Sequence, residues 1–111
     1  MNVFVYGTLM PGQQRWPLLE PYSAGHHPAT VAGALYDTGH GYPCAVFGAG
    51  PGIPGVVVAI DPAALPLLDE IEGVTSGLYE RVEVVTNAGE PAWSYAWGAA
   101  ADGLDAIASW P

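Results

Sequence analysis

The sequence predicts an α+β fold, a small mixed β-barrel or strongly curled sheet of five to six short strands with one principal helix and short helical turns. Short apolar or alternating segments are separated by turns drawn from 15 glycines and 11 prolines, and one segment has the apolar spacing of a helix. Strands and helices do not alternate repeatedly, which argues against a parallel α/β sheet. At 111 residues the chain fits a single domain, residues 1–111.

Composition argues against several classes of function. The formal net charge is −9, and the two basic residues are Arg15 and Arg81, so counterion release would contribute little to binding nucleic acid or an anionic membrane. The single cysteine, Cys44, excludes an internal disulfide and has no zinc or iron–sulfur motif around it. No apolar run reaches the length of a membrane span, and no signal segment is recognised. We therefore expect a cytoplasmic protein that holds anionic substrate groups with backbone donors, hydroxyls or an arginine.

The opening segment VFVYGTLMPG, residues 3–12, predicts a strand that runs into a loop. Alternation places two valines on one face and the aromatic residues Phe4 and Tyr6 on the other. Gly7 breaks this pattern and allows a ligand to approach the backbone closely. The N–H groups of Thr8 and Leu9 have no predicted strand partner, so they are available to a carboxylate or amide oxygen. An ordinary strand exit explains the same pattern.

The segment that follows is predicted from turn signals and short apolar runs. Residues 16–20 form at most a helical turn, because prolines interrupt the surrounding segment. His26 and His27 are expected in a solvated loop rather than at a metal site, because no carboxylate lies at ligand spacing. Tyr42 precedes a proline and is held extended, where it either lines a pocket or packs in the core. The predicted strands are residues 29–36, 42–47 and 56–60, with turns at 37–39 and 48–55.

The principal helix is predicted between Asp61 and Gly73. Asp61 followed by Pro62 is a helix start signal, and Gly73 suits the position just after the last turn. Pro66 lacks an N–H, which predicts a tight first turn or a kink. The remaining elements are a β-hairpin of residues 77–86 and 92–98 joined at 87–90, and a weak terminal turn in the tail to residue 111.

The acidic residues of this helix lie on different faces of it. At about 100° per residue, the apolar side chains cover one arc of the helix, and Glu72 falls inside that arc whereas Asp69 and Glu70 lie outside it. Burial and the negative end of the helix dipole both raise the pKa of a carboxyl group, and a pKa near neutrality suits a general base. Alternatively, the helix frays before Glu72 and the side chain reaches solvent.

The strand after the helix supplies further polar groups. Tyr79 and Arg81 share one face of this strand and provide a hydroxyl and a cation close in sequence to Glu72. These three side chains are predicted to converge on one cavity. The alternative is a tyrosine in the core and a surface arginine paired with Glu80 or Glu83.

Three segments together resemble one family. VFVYGTLMPG, GYP and LDEIEGVTSGLYER occur in the order and spacing of the gamma-glutamylcyclotransferase-like family, which includes gamma-glutamylamine cyclotransferases and AIG2-like proteins. The resemblance spans nearly the whole chain. It implies a small β-barrel with flanking helices, a cavity bounded by the YGTL loop, and a reaction that needs no metal or other cofactor.

The resemblance also implies a reaction. The α-amino group of a gamma-glutamyl amine, peptide or conjugate attacks its own γ-carbonyl, which closes a 5-oxoproline ring and releases the amine. Glu72 corresponds to the family's essential glutamate and is the expected acid and base. The expected substrate-binding residues are Tyr6, Gly7, Thr8, Leu9 and Tyr79 from the family pattern, and Tyr42 and Arg81 from the residue patterns above.

A non-catalytic small-molecule-binding protein on the same fold is the alternative, and a solvated Glu72 would favour it. The chain ends soon after the strand at residues 92–98, so the leaving-group side of the cavity is expected to be open or shared with another subunit. The sequence leaves open the identity of the leaving group and the oligomeric state, monomer or homodimer.

Overall fold

Two β-sheets and two short helices form the structure, a computed structural model that describes residues 1–110. Pro111, the end of the predicted domain and of the predicted terminal turn, lies outside the described residues. In chain order the elements are β1 (Asn2–Val5), α1 (Trp16–Leu19) with a 3₁₀ turn (Glu20–Tyr22), β2 (Ser23–Val31), β3 (Gly33–Asp37), β4 (Pro43–Phe47), β5 (Ile53–Ile60), a 3₁₀ turn (Pro62–Ala64), α2 (Leu65–Ile71), β6 (Tyr79–Val85), β7 (Pro91–Trp97) and β8 (Asp105–Ile107).

The strands form a five-stranded sheet in the order β2-β5-β1-β7-β6 and a three-stranded sheet in the order β4-β3-β8. β1 runs antiparallel to β5 and parallel to β7, with Val3 opposite Trp93. The mixed sheet and the α+β class are therefore confirmed. The count of five to six strands is wrong, since residues 1–110 contain eight. Closure into a barrel is not confirmed, because the ladders between these residues leave edge strands in both sheets.

The central strand β1 is buried on both faces, and its valines and Phe4 lie on opposite faces as the alternation predicts. Val3 and Val5 belong to a core cluster that includes Leu68 of α2. Phe4 belongs to a second cluster with Leu35 of β3, on the opposite face of the strand. The side chains of Val3 and Phe4 are fully buried. The two clusters enclose β1, so its carboxyl end is fixed where the candidate site begins.

The predicted strand at residues 29–36 is two strands in different sheets, β2 and β3. The break falls at Ala32, and Gly33 follows with a φ of +148°. A Cβ at Gly33 would lie 2.5 Å from the carbonyl oxygen of Val46, so only glycine allows this close crossing from one sheet to the other. Local alternation cannot reveal the break, because apolar residues continue through it.

His26 and His27 lie in β2, so their assignment to a loop is wrong. Their backbones are paired with Val58 and Val57 of β5, and this pairing overrides the loop character of the local sequence. Both side chains are exposed as predicted. The His27 Nε2 atom lies 2.8 Å from Glu90 Oε1.

The predicted terminal turn is also wrong in part, because β8 pairs antiparallel with β3 through residues such as Ile107 opposite Leu35. Trp110 packs against the second core cluster. The three residues of β8 have no alternation of their own long enough to indicate a strand. The open edge of β3 supplies the hydrogen bonds that form it.

The helix start and stop signals are confirmed. Asp61 Oδ1 accepts a hydrogen bond from the N–H of Ala63 at 2.9 Å, and the tight first turn predicted from Pro66 is the 3₁₀ turn before α2. Gly73 has a φ of +66°, and Val74 N–H donates to the Asp69 carbonyl at 3.0 Å, which is a Schellman end. Within residues 1–110, neither helix has the length and hydropathy needed to cross a bilayer.

Candidate active site

The loop after β1 is folded back on itself by backbone hydrogen bonds. Met10 N–H donates to the Gly7 carbonyl at 3.0 Å, and Arg15 N–H donates to the Thr8 carbonyl at 2.8 Å. A Cβ at Gly7 would lie 2.7 Å from Pro43 Cγ, so the close approach of β4 requires glycine here. Within residues 1–110 no backbone carbonyl accepts from the N–H groups of Thr8 or Leu9. The loop thus offers two uncommitted backbone donors.

A cavity adjoins this loop. It has a volume of about 70 Å³ measured as space for the centre of a water-sized sphere. One water needs only about 10–15 Å³ by the same measure, so a group of several heavy atoms fits. All the residues predicted from the sequence line it except Arg81: Tyr6, Gly7, Thr8, Leu9, Tyr42, Glu72 and Tyr79.

Glu72 is the carboxylic acid of this cavity. It caps the carboxyl end of α2, and its N–H donates to the Leu68 carbonyl at 2.9 Å. Burial raises the pKa of Glu72 to about 7, and the positive charge of Arg15 partly opposes this increase. The alternative of a frayed helix end is not supported, because the Schellman hydrogen bonds hold the backbone on both sides of Glu72. At neutral pH this carboxyl group is present in both protonation states, as a proton-transfer group requires.

Two tyrosine hydroxyls at the cavity are bonded to backbone carbonyls. Tyr79 donates to the Pro43 carbonyl at 2.6 Å, and Tyr6 donates to the Tyr95 carbonyl at 2.6 Å. Burial raises the pKa of both phenols well above the usual value. The Tyr42 ring lies 6.4 Å from the Tyr79 ring, centroid to centroid. The three rings therefore form an aromatic wall, and the hydroxyls of Tyr6 and Tyr79 hold together the elements around the cavity.

Arg81 does not line the cavity, contrary to the predicted convergence with Glu72 and Tyr79. Its Nη1 atom lies 3.1 Å from Asp69 Oδ2, and its guanidinium carbon lies 5.0 Å from the centre of the Trp93 ring. The partner on α2 also differs from both acids that the sequence suggested. Asp69 draws the guanidinium onto the helix, because a partly buried ion pair and an aromatic face together hold it there.

Arg15 and Tyr95 are cavity residues that the sequence prediction missed. Arg15 follows the loop closely and is one of only two basic residues, a signal that was available in the sequence. Tyr95 comes from β7, and its hydroxyl donates to Asp69 Oδ1 at 2.8 Å. Its role depends on the pairing of β7 with β1, which no local pattern indicates.

Comparisons with known proteins identify relatives of this chain. A Niallia circulans protein, gamma-L-glutamyl-butirosin B gamma-glutamyl cyclotransferase, is 32% identical over 91 residues, which are 78% of this chain and 58% of that relative. The chain thus spans less than two thirds of the relative's length.

Two solved structures have the same fold across nearly the whole chain. Protein ytfP from Escherichia coli is 34% identical with a TM-score of 0.68, and the match covers 98% of this chain and 93% of that one. Protein PH0828 from Pyrococcus horikoshii is 29% identical with a TM-score of 0.74, covering 97% and 86%.

A family model described as gamma-glutamyl cyclotransferase, AIG2-like, matches residues 3–110. That span includes the loop after β1, the Glu72 cap and the strand that carries Tyr95. The chain belongs to the gamma-glutamyl cyclotransferase, AIG2-like family.

Proposed function

We propose that the protein is a gamma-glutamyl cyclotransferase, which converts a gamma-glutamyl amine, peptide or conjugate to 5-oxoproline and the free amine. The observation that carries this proposal is a carboxyl group with a pKa of about 7, Glu72, in a cavity bounded by two uncommitted backbone donors. Family membership and the cyclotransferase relative support the same activity.

The loop after β1 suits the glutamyl group. A glutamyl substrate brings one carboxylate and one carbonyl oxygen that develops negative charge, and the N–H groups of Thr8 and Leu9 are donors for such oxygens. The methylene groups of the substrate pack against the aromatic wall that includes Tyr42 and Tyr79. A folded substrate in this cavity places its own nucleophile beside its own carbonyl, so attack is intramolecular.

Glu72 moves the protons of the reaction. The α-ammonium gives a proton to the Glu72 carboxylate, and the amine then attacks the γ-carbonyl carbon to form a tetrahedral oxyanion held by loop N–H groups. The C–N bond to the leaving group breaks as Glu72 protonates the departing nitrogen. Overall, the nucleophilic nitrogen loses two protons and the leaving amine gains two, which Glu72 carries one at a time. Every atom of both products comes from the substrate.

The test is 5-oxoproline release from a panel of gamma-glutamyl compounds. We expect Glu72→Gln to lower kcat by about 10²- to 10⁴-fold, because the amide cannot transfer the proton. Glu70→Gln is the matched control, since Glu70 is exposed on the same helix and its substitution should leave kcat unchanged. Circular dichroism checks that both variants are folded.

An active Glu72→Gln variant would contradict the role of Glu72. No release of 5-oxoproline by the unmodified protein across the whole panel, with binding retained, would instead indicate the non-catalytic binding protein considered from the sequence. Calorimetric titration with the same panel distinguishes that outcome from a failure to bind.

A further inference from the structure

The two arginines of the chain have different environments. Arg81 is paired with Asp69 and lies over Trp93. Arg15 lines the cavity, and among residues 1–110 no carboxylate oxygen lies within the 4.0 Å of an ion pair with its guanidinium. The chain has 11 acidic residues, yet among residues 1–110 none of them pairs with this arginine, so its guanidinium can bind an anionic group of a substrate.

The position of Arg15 is set by the loop. Its N–H donates to the Thr8 carbonyl at 2.8 Å, and it is the residue from which α1 begins. Arg15 is partly exposed, whereas Leu9 and Tyr79 in the same cavity are buried. Arg15 thus belongs to the part of the cavity wall that solvent reaches, as do Thr8 and Glu72.

The charge of Arg15 acts on the proton-transfer group. It lowers the pKa of Glu72 against the larger effect of burial, although the two side chains are not an ion pair. Glu72 must reach the leaving nitrogen to protonate it. In a gamma-glutamyl α-amino acid the carboxylate carbon of the leaving group is only two bonds from that nitrogen. A cation near Glu72 is therefore also near this carboxylate.

We propose that Arg15 binds a carboxylate on the leaving group and that the preferred substrates are gamma-glutamyl α-amino acids rather than gamma-glutamyl amines without a carboxylate. The glutamyl group's own carboxylate has other donors, the N–H groups of Thr8 and Leu9. This inference rests on the proposed function, since it assigns one side of the same cavity to the leaving group. A guanidinium offers paired donors in a plane, which match a carboxylate.

The experiment compares gamma-glutamylalanine with gamma-glutamylethylamine, two substrates that differ only by the leaving-group carboxylate. We expect Arg15→Gln to lower kcat/KM for gamma-glutamylalanine by about 10- to 100-fold, as for loss of a charged hydrogen bond. Both substrates are compared at about pH 9, where Glu72 is ionised with or without Arg15, and there the value for gamma-glutamylethylamine should change by less than about threefold, because the glutamyl half of the substrate keeps its donors. Arg15→Lys keeps the charge and should restore part of the preference.

Equal losses on both substrates would overturn the proposal, because Arg15 would then serve the glutamyl group or the fold. No loss on either would overturn it as well. Binding of both compounds to the Glu72→Gln protein, with and without Arg15→Gln, gives a measurement that needs no turnover. An Arg15-dependent preference in binding, combined with no turnover of either compound by the unmodified protein, would reject the proposed function alone. The absence of any preference in binding would reject the role of Arg15.

Discussion

Glu72 is a carboxylic acid whose surroundings in the folded protein oppose its charge. Burial at the end of α2 raises its pKa to about 7 from a usual value of 4.5. The unfolded chain has no such burial, so the carboxyl group binds its proton more tightly when the protein is folded. The environment that suits Glu72 to proton transfer therefore reduces the stability of the protein at neutral pH.

This difference makes stability depend on pH. The free energy of unfolding should fall as the pH rises from about 4.5 to about 7, and the ionised form should cost up to about 3 kcal/mol at pH 8. Glu72→Gln, which cannot ionise, should be more stable than the unmodified protein at pH 8 and little different at pH 4.5. Urea unfolding at both pH values measures this. A Gln variant that is less stable at pH 8 would contradict it.

The same pKa predicts the pH dependence of turnover. If ionised Glu72 is the base in the free enzyme, kcat/KM should fall tenfold per pH unit below a pKa of about 7. Arg15→Gln removes the positive charge that lowers the pKa of Glu72, so the acidic limb of the pH profile, where kcat/KM falls, should move to higher pH. The profile is measured with gamma-glutamylethylamine, which lacks the leaving-group carboxylate. An unmoved limb would show that Arg15 does not act on Glu72.

At the scale of single residues, the sequence predicted that Glu72 lies on the apolar face of its helix. It did not predict which groups contact the two arginines. The position of Glu72 on the apolar arc follows from helical geometry within a few residues. The pairing of Arg81 with Asp69 joins a strand to a helix that precedes it, and such a contact depends on how the two elements pack. The same limit explains why Tyr95 was missed.

At the scale of elements, the end of α2 determines where Glu72 lies. Gly73 takes a left-handed conformation, with a φ of +66°, and the following backbone folds back onto the helix. Asp69 then connects α2 to the sheet, because one carboxylate oxygen accepts from Tyr95 and the other is paired with Arg81. Glu72 is thus held by the helix end on one side and by this bridge on the other.

Gly73→Ala tests the helix end. A Cβ at this position would lie 3.1 Å from Ser76 Oγ and 3.2 Å from Leu78 Cβ, and left-handed backbone alone costs a non-glycine residue about 1–2 kcal/mol. Gly103→Ala is the matched control, since Gly103 has a φ of +81° with no atom within 4 Å of its Cβ position. We expect Gly73→Ala to lose more stability, measured by urea unfolding, and to reduce 5-oxoproline release more strongly. Equal losses in both variants would contradict this role.

The elements themselves were predicted where their signals are local. The cap of Asp61, the tight turn at Pro66 and the hairpin of β6 and β7 all depend on residues close in sequence. The strand character of His26 and the existence of β8 depend instead on partner strands. A propensity for loop structure is a weak effect of well under 1 kcal/mol per residue, so a full set of ladder hydrogen bonds overrides it.

At the scale of the whole molecule, charge repulsion is widespread. The net charge is −9, and the described ion pairs are Arg81 with Asp69 and, when the histidine is protonated, His27 with Glu90. Repulsion between unpaired carboxylates should therefore outweigh attraction across the surface.

Salt should accordingly stabilise the protein. Raising NaCl from 0.01 M to 0.5 M shortens the screening distance from about 30 Å to a few ångströms, which weakens the repulsion, and Tm should rise by a few degrees. At pH 4, where many carboxyl groups are neutral, the increase should be smaller. Thermal unfolding followed by circular dichroism measures both. A Tm that falls with salt at pH 8 would show that the ion pairs dominate.

The parallel ladder between β1 and β7 has a consequence for the order in which the molecule can be completed during synthesis. β1 leaves the ribosome before β7, so the edge of β1 that faces β7 has no partner until residues near Trp93 have followed. Until then, this apolar strand exposes unpaired backbone N–H and C=O groups along one edge. Such an edge can pair with another chain and start aggregation. Tyr95 arrives with the same strand, so a nascent chain gains this cavity residue at the step that closes the second edge of β1.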